Sequence, residues 1–194
     1  MTSADTFAPG TLFRGRFFVL DRPIHGSMAM VIRVRDLRQG RTCALKIPHH
    51  RLPKPVWLRL YREARALQAC RHPHLVVLHD ILDGPSLLME WIEGRNLAQV
   101  VEGGGPLPLD RALALAHQLA GALGALHREG VVNRDLKAEN VIIDASGRAV
   151  MVDLGISWVP EVLSELTLQG TALGTLEYMA PEQAAGQPPH PSMD

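Results

Sequence analysis

Four side chains stand out by type and spacing. Asp135, Lys137 and Asn140 fall within six positions, and Asp153 follows eighteen residues after Asp135. Together they are one acid able to take a proton, one fixed cation, and two oxygen ligands for a hard metal ion. Moving a phosphoryl group between oxygens needs that inventory, because such catalysis is mostly positioning and charge neutralisation. General-base work by Asp135 requires hydrogen-bond reach to a hydroxyl, which a short loop between a helix and a hairpin can provide. Asn140 and Asp153 offer the oxygen donors that Mg²⁺ prefers while it keeps part of its water shell. A second pair lies upstream: Lys46, inside the apolar run Cys43 to Ile47, and Glu63, seventeen residues on. A buried ammonium needs a counter-charge, and Glu63 could supply it. Taken singly, each of these residues is more simply a cap, a turn or an exposed charge. At this joint spacing the catalytic reading is much the stronger.

The elements that must position them follow from periodicity. Phe17 to Leu20, Ala29 to Val34 and Thr42 to Ile47 are short apolar runs separated by turn residues such as Gln39-Gly40, and read as an antiparallel meander. Pro55 to Cys70 has helical spacing at Leu60, Ala64 and Leu67 and ends before His72-Pro73. Leu75 to Leu82 and Ser86 to Trp91 read as two further strands. After Gly94 the pattern turns helical, with a helix over Asn96 to Val101, a Gly103-Gly104-Gly105 connector, and a long helix from about Leu109 to Glu129. Val141 to Ile143 and Val150 to Val152 flank Ser146-Gly147 as a β-hairpin. Strands first and helices after predict an α+β fold, a small β-rich lobe followed by a helical one.

Composition bounds the setting. The 194 residues are 46% hydrophobic, enough for a sizeable core, and Lys+Arg equals Asp+Glu at 20 each, so no basic block points to nucleic acid. Cys43 and Cys70 are isolated thiols in dissimilar contexts, which suits a reducing interior rather than a disulfide scaffold. Residues 1–7 lack the basic and apolar regions of a signal peptide, and Ala112 to Leu126 is too short to span a bilayer. The expectation is a cytoplasmic protein with no membrane segment in this chain.

Val132 to Asn140, followed by Asp153-Leu154-Gly155 and Ala180-Pro181-Glu182, resembles the protein kinase family. Lys137 in the first motif, with Gly174-Thr175 ahead of Tyr178 to Gln183, is similar to bacterial serine/threonine kinases. The resemblance implies a protein-kinase-like two-lobed fold over residues 12–194, with a β-rich N-lobe and hinge at 12–92, a partial helical C-lobe at 93–194, and a flexible N-terminus at 1–11. It implies ATP and Mg²⁺ as cofactors and a protein substrate with a Ser or Thr acceptor. Asp135 would be the base and Lys137 would neutralise the γ-phosphoryl group, with Asn140 and Asp153 on the metal. Lys46, oriented by Glu63, would grip phosphates. Gly26 would approach them through its backbone, Val31, Ala44 and Ile142 would sandwich adenine, Met89 would be gatekeeper, and the backbone of Glu90 to Ile92 would face the base. Arg134 would pair with a phosphorylated residue of the activation segment, where Thr167 and Thr171 are the candidates and Thr175 lies near the substrate platform. His127 is expected to be structural, and so is His72-Pro73-His74, despite its metal-like spacing.

Three departures matter. The phosphate loop keeps only its middle glycine, Gly26, because Ile24 and Ala29 take the flanking positions. Asn133 replaces the His that usually precedes the Arg-Asp pair, and Leu154 replaces the usual Phe. The chain also stops near the start of the family's central C-lobe helix, so the competing reading is a truncated, pseudokinase-like scaffold that binds nucleotide or a partner without turnover. A small-molecule phosphotransferase of related fold fits less well, because such enzymes lack the Ala-Pro-Glu segment.

Overall fold

The computed structural model describes residues 6–26, 29–48, 61, 64–65, 68–83, 86–153 and 177–194. They divide into two compact units, Met1–Tyr61 with Val77–Trp91, and Arg62–Val76 with Ile92–Asp194.

The first unit is a sheet of seven strands: β1 (Leu12–Phe13), β2 (Phe17–Val19), β3 (Ile24–His25), β4 (Ala29–Asp36), β5 (Arg41–Pro48), β6 (Leu78–Leu82) and β7 (Ser86–Glu90). Their order is β1-β2-β4-β5-β7-β6, with β3 paired to β4. Side chains alternate faces along a strand. One face therefore collects Phe17, Val19, Ile32, Val34, Cys43, Leu45 and Leu88 into a buried core. Full burial of each large aliphatic side chain there contributes about 1.5–3 kcal/mol. The register sets Val31 opposite Lys46, Arg33 opposite Ala44, and Ala44 opposite Met89. Cross-strand partners share a face, so Val31, Ala44, Lys46 and Met89 line the other side of the sheet.

Asp36, fully buried at the end of β4, accepts from Arg16 Nε at 3.0 Å and Nη2 at 2.8 Å. The guanidinium holds the Asp36 carboxyl below the usual carboxylate range, against the opposing effect of burial. Residues 6–11, in the stretch expected to be a flexible N-terminus, are tied to β2 by Gly10 N to Val19 O and Val19 N to Thr11 O, both 2.9 Å.

In the second unit, Tyr61-side residues Ala64, Arg65, Gln68 and Ala69 are helical, as the spacing predicts; Glu63 and Leu67 lie outside the described residues. Three strands, β8 (Gly94–Asn96), β9 (Val141–Asp144) and β10 (Ala149–Met151), pair in the order β10-β9-β8. A Cβ on Gly94 would overlap the carbonyl oxygen of Ile143, so glycine is what lets β8 approach β9. Helix α1 (Leu97–Gly104) starts in a capping box: Gln99 N donates to Asn96 Oδ1 at 2.8 Å and Asn96 N to Gln99 Oε1 at 3.1 Å. It extends past the expected Val101 and takes in Gly103 and Gly104, because Gly105, with φ of 73°, closes the last turn on the Val101 carbonyl.

The long helix α2 runs Leu109–Arg128 and buries Leu115, Ala122, Ala125 and Leu126. Gln118 Oε1 accepts from Ala149 N at 2.8 Å and ties it to β10. Gly130, with φ of 72°, ends the helix: Gly130 N donates to His127 O and Val131 N to Leu126 O, each at 3.0 Å. The chain thus leaves α2 on a fixed heading into residues 131–137. No helix among the described residues is long and apolar enough to cross a membrane.

Candidate active site

Residues 131–140 connect α2 to β9 and finish in a 3-10 turn at Ala138–Asn140. That turn is closed by Asn140 N to Lys137 O at 3.0 Å. It brings Asp135, Lys137 and Asn140 together. Lys137 Nζ lies 3.1 Å from Asp135 Oδ1. Asn140 Nδ2 donates both to Asp135 Oδ2, at 2.8 Å, and to the Asp135 carbonyl, at 2.9 Å. Burial pushes the Asp135 carboxyl above the usual carboxylate range and the charge of Asp153 adds to this, while Lys137 and Asn140 pull the other way. A carboxylate so placed is a better proton acceptor than an exposed one.

Asp153 follows β10, and its neighbour Val152 donates its N–H to the Asn140 carbonyl at 2.9 Å. That bond sets the residue before one proposed metal ligand against the other. With Asn140 Nδ2 bonded to Asp135, the amide oxygen is the atom of that side chain suited to a metal ion. One carboxylate and one amide oxygen, completed by water and phosphate oxygens, suit Mg²⁺. The residues present therefore fit that ion: Asn140 and Asp153 would hold it, and it would neutralise charge on the phosphates.

Above the base the backbone is held by residues that sequence reasoning missed. Arg134 has φ of 65°, the left-handed region that a non-glycine residue occupies only under constraint. The constraint comes from Asp194, whose buried carboxylate accepts from Asn133 N at 2.7 Å and from Arg134 N at 2.6 Å. His127 Nε2 lies 2.8 Å from the same carboxylate, which accounts for the structural role expected of that histidine. On the other side, Gln183 Nε2 donates to the Arg134 carbonyl at 2.8 Å. Asp194 stands in a proline-rich stretch with no local signal of its role. Gln183 carries one weak signal, its place directly after Ala180-Pro181-Glu182. Asn133, which replaces the usual His, is buried, with Nδ2 directed at Met151 Sδ at 3.9 Å.

The remaining predicted residues fall as follows. Lys46 is buried on β5, on the sheet face that carries Val31, Ala44 and Met89. Glu90 is half-buried; its N–H donates to Val77 O at 2.9 Å, and its carboxylate accepts from Val77 N at 3.4 Å. Ile92 is buried, and Ile142 is half-buried in β9. Gly26 closes the β3–β4 hairpin by donating its N–H to Ala29 O at 2.9 Å. Arg134 is buried. Glu63, Leu154, Thr167, Thr171 and Thr175 lie outside the described residues. His74 Nδ1 lies 2.8 Å from Ala149 O and His72 Nδ1 accepts from His74 N at 3.3 Å, so this pair serves the backbone.

The chain is similar to known proteins. The chain is 42% identical over 191 residues to the serine/threonine-protein kinase pkn2 of Myxococcus xanthus, covering 92% of this chain and 23% of that protein. It is 37% identical over 188 residues to the DNA damage-responsive serine/threonine-protein kinase RqkA of Deinococcus radiodurans, covering 92% of this chain and 28% of that protein. The chain thus spans about a quarter of the length of these relatives. Among solved structures, Rad53 1-466 in complex with AMP-PNP superposes with a TM-score of 0.64 at 27% identity, over 78% of this chain and 43% of that one. The protein kinase domain family matches residues 25–194, and the chain belongs to that family, with its fold.

Proposed function

We propose that this chain carries the phosphoryl-transfer machinery of a serine/threonine protein kinase, moving the γ-phosphoryl group of ATP to a Ser or Thr hydroxyl of a protein. The observation that carries the reading is the interlock of Asp135 with Lys137 and Asn140, with Asp153 drawn up by the Val152–Asn140 backbone bond. The names of the relatives support the acceptor class, and the AMP-PNP complex of the structural neighbour supports a nucleotide ligand.

In this account Asp135 orients the acceptor hydroxyl and takes its proton as the oxygen bonds to the γ-phosphorus. The bond from that phosphorus to the bridging oxygen breaks, and ADP leaves. Lys137 neutralises charge on the transferring group, while Asn140 and Asp153 hold Mg²⁺. On the first unit Lys46 holds phosphates. On that unit Val31 and Ala44 serve the adenine, Met89 guards its depth and the backbone of Glu90 reads its edge; Ile92 and Ile142 are the second unit's candidates for the nucleotide. Gly26 lies at the phosphates, Arg134 receives a phosphorylated Thr167 or Thr171, and Thr175 borders the acceptor. One observation favours the alternative of a nucleotide- or partner-binding scaffold: the Gly26 N–H, which a phosphate would seek, is already bonded to Ala29.

Incubation of the intact protein with Mg²⁺ and γ-labelled ATP on a generic protein substrate, followed by phosphoamino-acid analysis, tests the proposal. Label on Ser and Thr is expected. Nucleotide binding with no transfer would favour the scaffold, and label confined to small molecules would remove the protein-substrate assignment.

A further inference from the structure

The base is held from two directions, and only one is explained by the catalytic motif. Its own carbonyl is fixed by Asn140 Nδ2 at 2.9 Å. The peptide leading into it, made of the Arg134 carbonyl and the Asp135 N–H, is fixed by Gln183 Nε2 at 2.8 Å. Gln183 is 3% exposed and stands on the short helix α3, Pro181–Ala184. That helix is secured by Ala184 N to Ala180 O at 3.0 Å and Ala185 N to Pro181 O at 2.9 Å. Arg134, between the two clamped peptides, sits at φ of 65°. A non-glycine residue there costs on the order of 1–3 kcal/mol and stays only where its surroundings over-determine it. Asp194 holds the N–H side of Arg134, and Gln183 is the partner seen on the carbonyl side.

We propose that Gln183 is a positioning residue for Asp135: by holding the Arg134 carbonyl it fixes the peptide plane from which the base projects. This rests on the phosphoryl-transfer reading above. An apolar side chain at 183 would leave a buried carbonyl without its donor, and the strained φ of Arg134 could then relax by rotating that plane. The rotation swings the Cα–Cβ bond of Asp135, and a displacement near 1 Å at a reacting group costs about 100-fold in rate. The bond also makes the aim of the base depend on the seating of α3.

The test uses Gln183→Leu, which keeps side-chain bulk, and Gln183→Glu, which sets an oxygen against the Arg134 carbonyl at pH 8. Both are expected to lower kcat about 10- to 100-fold, with KM for ATP within twofold of the parent. Amide hydrogen exchange, read on the same variants in the absence of substrate, is expected to speed at least threefold in peptides spanning 131–137 and to stay unchanged in α2. Unchanged exchange at 131–137 would overturn the proposal whether or not the parent transfers phosphate. Faster exchange across the whole second unit would overturn it too, by showing a general stability role. A parent without transfer would refute the functional reading instead and leave the exchange result to decide the clamp.

Discussion

The first-unit sheet and the second-unit catalytic loop are held by opposite means. The sheet buries seven apolar side chains on one face, close-packed against one another, so a truncation there costs stability without redirecting a particular peptide. The loop at 131–140 is held by single polar bonds from Asp194, Gln183 and Asn140 to particular backbone groups. Asp194 sets the direction of two successive peptides, and Gln183 and Asn140 of one each. Substitutions in the sheet core should therefore cost stability and spare turnover per folded molecule, while substitutions in the loop should cost turnover beyond any loss of stability.

The largest expected effect is at Asp194. Replacement by Ala leaves the Asn133 and Arg134 N–H groups without their acceptor, and kcat should fall at least 100-fold, beyond what an unfolding penalty of about 3–5 kcal/mol explains. Thermal melting and turnover on the same preparation separate the two, and a loss of stability with turnover intact would break the contrast. Next, Phe17→Ala should destabilise by about 3–5 kcal/mol in denaturant unfolding, with kcat per folded molecule within about twofold.

The smallest effect concerns the ion pair at the end of β4. Arg16 lowers the folded pKa of Asp36, so the pair's contribution is complete above the ordinary carboxylate value of about 3.9 and is lost as pH falls toward the lower folded value. Arg16→Met should cost on the order of 2 kcal/mol at pH 7. It should also flatten the decline in stability with acidification, measured by unfolding at a series of pH values below 5. An unchanged acid limb would mean that the pair does not set it.

What could be read beforehand follows the same division. The alternation in Ala29–Asp36 and Arg41–Pro48 marks strands because burial on one face imposes a period of two, and the apolar spacing of Leu109–Arg128 marks its helix for the corresponding reason. The strand expected from Leu75 begins at Leu78, because Leu75 instead bridges Met151 and Val76 donates to the Met151 carbonyl. The short strands Leu12–Phe13, Ile24–His25 and Gly94–Asn96 escaped notice because two or three residues carry no period; pairing with a longer neighbour defines them.

Within the site, Asp135, Lys137 and Asn140 could be picked out because the turn at Ala138–Asn140 is local. Asp194 and Gln183 could not, since they act on peptides 60 and 49 residues away through bonds that only the folded chain creates.

The most direct test of the central claim is single-turnover transfer from Mg²⁺-ATP to a protein substrate by the intact protein and its Asp135→Asn variant. With Asp135 as the base, the variant keeps the Asn140 bond to its main-chain carbonyl, one side-chain acceptor oxygen and its nucleotide binding, and loses about 100- to 10,000-fold in the transfer rate. Equal rates from the two proteins would contradict the account.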